Sequence, residues 1–283
     1  MTKPVTPATD LLGLHRIGYS SPLFTHPALR WEDRQSTARD EQIAEEVPIV
    51  LAYNGQAHVV MMATPGDLED FITGFSLTEE LVENAAELQD IEVVRYGQGI
   101  EVRARVSPGR QMAIEARSRK MSGRTGCGIC GTDSIEDALK HLHPVPPGGS
   151  ISSDAIQRAI SALAGMQPLN RAAGAVHAAG WATLTGDVVL VREDVGRHNA
   201  LDKVIGALIR QGIDTRDGFL VVTSRASFEM VQKATVLGAR ALVAISGPTG
   251  LAVRVAQQAG LTLVGFARPG RFTVYTHESR IVA

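Results

Sequence analysis

Two thiols three positions apart, Cys127 and Cys130, are the only cysteines of this 283-residue chain, in the run Ser122-Gly-Arg-Thr-Gly-Cys-Gly-Ile-Cys-Gly131. A thiol attacks only as thiolate, and at its ordinary pKa of about 8.5 only a few per cent is ionised at neutral pH. Nearby cations and a helix N-terminus lower that pKa. Arg117, Arg119, Lys120 and Arg124 precede Cys127, and no acid occurs between Ala116 and Thr132. Asp133 with Glu136, and Ser134 with Asp137, stand at capping-box spacing, which predicts a helix start just after Cys130. Gly126, Gly128 and Gly131 leave room for another sulfur to approach. Persulfide relay suits this loop: one cysteine accepts sulfane sulfur, and the other assists its transfer.

Three other chemistries stay open. A dithiol oxidoreductase places C-x-x-C after a strand at a helix start, whereas the residues before Cys127 are basic and polar. A zinc site needs about four ligands. The spacing of His141 and His143 is wrong for a zinc finger and would point them apart on a helix, which leaves open a four-cysteine site shared between two subunits. Buried structural thiols do not call for three glycines and four cations. Gly126-Cys-Gly-Ile-Cys-Gly131 also matches G-x-G-x-x-G, but Ser118-Arg-Lys-Met-Ser-Gly-Arg124 is not the strand that fingerprint requires.

A second set of chemistry-bearing residues lies in the C-terminal half. Arg192-Glu-Asp-Val-Gly-Arg-His-Asn199, Thr223-Ser-Arg-Ala-Ser227 and Ser246-Gly-Pro-Thr-Gly250 each join an expected strand to an expected helix. Turns at the carboxyl ends of parallel strands are where open α/β sheets bind ligands. Arg197, Ser224, Arg225 and free helix N–H groups suit an anion, although Ser and Thr before a helix also serve as plain caps. In the last turn, Phe266-Ala267-Arg268-Pro269-Gly270-Arg271, Phe266 offers a stacking surface for a base or pterin, and the arginines offer grips for phosphate. His177-Ala-Ala179 has alanine where zinc nucleobase deaminases carry the glutamate of H-x-E, and the C-x-x-C lies upstream, which excludes deaminase chemistry. No Walker A run occurs, so a P-loop nucleotidase is unsupported.

The elements that must position these residues follow from periodicity. Ile49–Tyr53 and His58–Met62 flank Asn54-Gly55, a hairpin signal. Leu68, Phe71, Ile72 and Phe75 line one face of a helix. Alternation from Glu92 to Val106 around Gly97–Gly99 predicts two strands. After Pro144-Val-Pro-Pro-Gly-Gly-Ser150, a domain boundary by composition, the order is a helix over Ser153–Leu163, strand Asp187–Val191, helix His198–Arg210, strand Phe219–Thr223, helix Phe228–Leu237, strand Ala241–Ile245, helix Leu251–Ala259 and strand Leu261–Phe266. The expectation is an α/β protein, α+β overall, with parallel strands in the C-terminal half. It divides as a flexible tail (1–40), a smaller N-terminal α+β domain ending in the cysteine loop (41–148) and an α/β domain (149–283).

Composition bounds the rest. The net charge is −2, 44% of residues are hydrophobic and 20% are charged. That predicts a globular protein with no nucleic-acid footprint. The N-terminus has no apolar core of a signal peptide, and no apolar run is long enough for a bilayer, so no membrane role and a cytoplasmic location are expected. Nine acids and no Lys or Arg occur between Asp67 and Glu92, a solvated face or a dock for a basic partner.

Five stretches together resemble the formate dehydrogenase accessory sulfurtransferases, the FdhD family. They are Val59–Pro65, Gly126–Gly131, Arg192–Lys203, Ser224–Lys233 and Gly265–His277. The likeness runs from about residue 47 to the end. It implies a sulfurtransferase that takes sulfur from a cysteine desulfurase as a persulfide on Cys127, with Cys130 assisting and no resident metal. The sulfur would pass to the molybdenum bis(molybdopterin guanine dinucleotide) cofactor, bound as substrate at Phe266 to Arg271, for use by formate dehydrogenase. The resemblance also implies a cytidine-deaminase-like C-terminal sheet and a homodimer. A non-catalytic chaperone for the same cofactor is the alternative.

Overall fold

A computed structural model describes residues 21–97, 99–121, 142–146 and 148–283, of 117–121 the backbone alone. Strands β1 (Leu23–Glu32) and β2 (Gln35–Ala44) form an antiparallel hairpin closed by Asp33 and Arg34, both at positive φ. This corrects the expectation of a flexible tail over 1–40 for its residues 23–40; the first 20 lie outside the described residues. The hairpin escapes a periodicity search because both faces are open. Trp31 is 67% exposed and Leu29 59%, so no buried side imposes alternation.

Strands β3 (Val47–Tyr53) and β4 (Gln56–Ala63) meet at Asn54–Gly55, both at positive φ, as a two-residue hairpin with an Asn-Gly turn requires. Helix α1 (Leu68–Thr78), strands β5 (Gln89–Tyr96) and β6 (Gly99–Arg105) and helix α2 (Pro108–Met121) follow. The sheet order is β4-β3-β6-β5, with β3 and β6 parallel. One buried cluster, drawn only from residues between Val47 and Ile114, joins Ile49, Leu51, Val102, Phe71 and Ile72.

The C-terminal half contains β7 (Ile151–Ser152), α3 (Ser153–Gly165), α4 (Pro168–Ala173), β8 (His177–Thr183), β9 (Val188–Asp194), α5 (Arg197–Arg210), β10 (Gly218–Val222), α6 (Phe228–Val236), β11 (Ala241–Ala244), α7 (Gly250–Ala259), β12 (Thr262–Arg268), β13 (Arg271–Val274) and β14 (Ile281–Val282). Six strands form one sheet in the order β13-β12-β11-β10-β8-β9. Helices α5, α6 and α7 cover one face through Leu201, Val204, Met230 and Val255. Helix α3 covers the other through Ile156, Ile160 and Leu163. The sheet is mixed: β10, β11 and β12 are parallel, while β8 and β13 run against their neighbours. The Phe266 segment therefore ends no terminal strand; it lies in a hairpin, because residues 271–274 add a further edge strand.

The two halves meet along α1 and α5 at glycine contacts. A Cβ on Gly74 would sit 1.8 Å from the Asp202 carbonyl oxygen, and one on Gly206 1.9 Å from that of Asp70. Buried charges surround the crossing. Lys203 pairs with Asp194 at 2.6 Å, and Lys233 binds Asp202, Glu79 and Thr78. The acidic stretch is largely spent within the chain. Asp67, Asp70, Glu79, Glu80, Glu83, Glu87 and Asp90 each face Arg192, Arg210, Lys233, His143, Arg110 or Arg105. Among the described residues no helix is long and apolar enough to cross a membrane.

Candidate functional site

Strands β9 to β12 share one direction, because β8 opposes both β9 and β10. Their carboxyl ends, and the N-termini of α5, α6 and α7, therefore open along one sheet edge. The 192–199, 223–227 and 246–250 turns all lie there, as their strand-to-helix spacing implied. Backbone bonds tie the second and third together: Thr249 N–H donates to the Ala226 carbonyl, and Ala226 bridges Pro248.

Phe266 sits at this edge beside the third turn. Its N–H donates to the Ser246 carbonyl at 3.1 Å, and its φ of 50° lies within a bulge between Gly265 and Arg268. Phe266 is 53% exposed. An exposed phenylalanine in the left-handed region is a conformation that packing alone does not select. Arg268 donates from Nη1 to the Ile245 and Ala267 carbonyls, while Ala267 is buried. Pro269 and Gly270 make the hairpin tip, and Gly270 takes φ 80°, which glycine adopts without strain. Its N–H donates to Gln157 Oε1 on α3 at 2.8 Å. Gln157 carried no signal in the sequence, because its partner lies 113 positions away. Arg271 is exposed.

The other arginines divide by role. Arg225 is exposed on the second turn. Ser224 is buried at 4% exposure, its hydroxyl donating to the Arg225 carbonyl, so it presents no group to solvent. Arg192 turns inward to Asp70. Glu193 accepts from the N–H groups of Leu169 and Asn170 at the start of α4. Asp194 accepts from Thr64 N–H, Gly196 N–H and Asn199 Nδ2. Most of the 192–203 run thus holds the two halves together, leaving Arg197 and His198 at the sheet edge. Arg197 Nε is buried without a hydrogen-bond partner. His198 Nε2 lies 2.7 Å from Glu229 Oε2. Burial pushes the Glu229 carboxyl up, but the close approach of the His198 imidazole, with the Arg197 and Lys233 charges, brings it below its ordinary range. Burial, and then the Arg197 charge, push the His177 imidazole down.

An aromatic face, arginines and helix N-termini along one edge suit a planar base with phosphates. With neighbouring strands about 4.8 Å apart, the four strand steps from β12 to β9 span about 19 Å. Cys127 and Cys130 lie outside the described residues, as do Arg124 and the helix expected after the loop. Helix α2, which leads into that loop, was not anticipated; its apolar residues make no stripe.

A family model described as FdhD/NarQ matches residues 44–282. A sulfur carrier protein FdhD of Cupriavidus necator is 48% identical over 257 residues, covering 91% of this chain and 89% of that protein. One of Xanthomonas axonopodis pv. citri is 50% identical over 248 residues, covering 88% of each. A crystal structure from Desulfotalea psychrophila, proposed to be a formate dehydrogenase accessory protein, aligns with a TM-score of 0.74 at 24% identity. It covers 93% of this chain and 100% of that one, a likeness of fold.

Proposed function

Because the chain belongs to the FdhD/NarQ family, we propose that it carries sulfane sulfur as a persulfide on Cys127, with Cys130 assisting, and delivers it to the molybdenum bis(molybdopterin guanine dinucleotide) cofactor. The observation that carries this reading is the family match over 44–282, which spans both cysteines and the Phe266 edge together. The relatives' own description as sulfur carriers supports it.

In this scheme the Cys127 thiolate attacks the outer sulfur of a persulfide on a cysteine desulfurase. The S–S bond there breaks, the desulfurase cysteine leaves as thiolate, and Cys127 holds the transferred sulfur. The cations at Arg117, Arg119, Lys120 and Arg124 favour the attacking thiolate. The acceptor is a polyanion with two guanines. Phe266 provides a stacking face, while Arg268, Arg271, Arg225 and Arg197 provide charge along the same edge. On this reading residues 41–148 are the sulfur-bearing unit and 149–283 the cofactor-holding unit, whose sheet corresponds to a cytidine-deaminase-like layer. The protein works in the cytoplasm as a homodimer, and its product serves formate dehydrogenase.

Intact-mass measurement after incubation with a cysteine desulfurase and cysteine tests the carrier role. One added sulfur atom is expected on the wild type and none on Cys127→Ala. An unchanged sulfur load on that variant refutes the assignment. Guanine-nucleotide binding without sulfur on either cysteine would instead identify a cofactor chaperone.

A further inference from the structure

We infer that Gly247 is a positioning residue for Phe266: lacking a side chain, it admits the phenylalanine ring over the 246–248 turn and so sets the face offered at the sheet edge. The inference rests on the reading of this edge as a nucleotide site and deepens it.

Three observations carry it. A Cβ built on Gly247 would lie 2.6 Å from Phe266 Cζ, 3.1 Å from Cε1 and 3.3 Å from Cε2, so its three nearest neighbours are all atoms of that ring. Gly247 is not among the glycines at positive φ, so its backbone does not require glycine. What requires it is the space that the ring fills. The Phe266 backbone is pinned from the other side. Its N–H is bound to Ser246, and Gly265 is pressed against Pro248, where a Cβ would meet Cδ at 2.8 Å. With the main chain held on both flanks, the ring keeps its place only while position 247 stays empty.

The obstruction is also soft. Phe266 is half exposed and its ring rotates, so Gly247→Ala moves the ring into solvent without opposing backbone or core. The expected outcome is a protein that folds like the wild type and stacks a base poorly.

The test titrates GDP, as the guanine probe, into the full chain, Gly247→Ala, Phe266→Ala and the double variant by calorimetry, with melting curves alongside. Loss of a base-stacking contact predicts about 5- to 150-fold weaker binding by each single variant. The double variant should bind no more weakly than Phe266→Ala, because both changes remove one contact. Melting temperatures should match the wild type. A nuclear Overhauser contact between Gly247 Hα and Phe266 Hζ in the free protein checks the placement without ligand. Wild-type affinity in Gly247→Ala, additive losses, or absence of that contact overturns the inference. A wild type that takes up no GDP while the contact is present overturns the reading of the site instead.

Discussion

Replacing Lys203 with methionine tests what the 192–203 run is for. Lys203 and Asp194 are both fully buried and lie 2.6 Å apart. Lys203 also donates to the Thr64 carbonyl at 3.0 Å, and its Nζ lies 6.0 Å from the Phe71 ring centroid. Methionine keeps the length and removes the charge. Asp194 would remain a buried anion with three N–H donors, from Thr64, Gly196 and Asn199, and the Thr64 carbonyl would lose its side-chain partner. Removing one member of a buried pair costs about 3–5 kcal/mol. The three remaining donors favour the low end, and the Thr64 carbonyl keeps the Gly66 N–H as a donor. The expected loss is about 3 kcal/mol, a large share of a domain's stability of about 5–15 kcal/mol. Urea unfolding followed by circular dichroism measures it as a lower midpoint with an unchanged slope. Arg30→Met serves as control, since the Arg30–Glu32 pair is 44% and 71% exposed; surface pairs are worth about 1 kcal/mol or less. A loss below about 1 kcal/mol in Lys203→Met, or an equal loss in the control, refutes the interface role.

Gly206→Ala should destabilise by at least about 2 kcal/mol despite alanine's gain of about 1 kcal/mol in helix propensity, because the new Cβ meets backbone that cannot swing aside; denaturant unfolding measures it, and a stabilised variant would contradict the close α1–α5 contact. His177 supplies a pH dependence. Burial holds its imidazole below the ordinary 6.5, so as pH falls below that value the unfolded chain takes the proton first and stability drops. His177→Gln should flatten the wild-type decline in urea midpoint between pH 7 and 5, and an identical slope in both proteins would refute this placement.

The local pattern of the chain already held much of this molecule. The Asn54-Gly55 hairpin, the Leu68–Phe75 helical face, the strands around Gly97–Gly99 and the C-terminal strand–helix alternation depend on contacts between near neighbours, and periodicity reports such contacts directly. The shared edge for the 192–199, 223–227 and 246–250 turns followed from the same alternation. The cysteine pair and its cations stand out in the sequence by type and spacing, and they lie at the edge of or outside the described residues.

Tertiary structure decided the rest. The 192–203 run reads as an anion-binding turn until Arg192, Asp194, Asn199 and Lys203 are seen joined to Asp70, Met62 and Thr64, more than 120 positions away. The acids between Asp67 and Glu92 read as a solvated face until their cations arrive from distant elements. Gln157 under the Gly270 tip and Gly247 under the Phe266 ring show no mark in sequence, because each acts through one long-range contact. Residue type and spacing thus determined which chemistry the chain could carry. Only folding, by bringing remote partners within bonding distance, decided which of its charged and glycine residues hold the frame and which are left at the sheet edge.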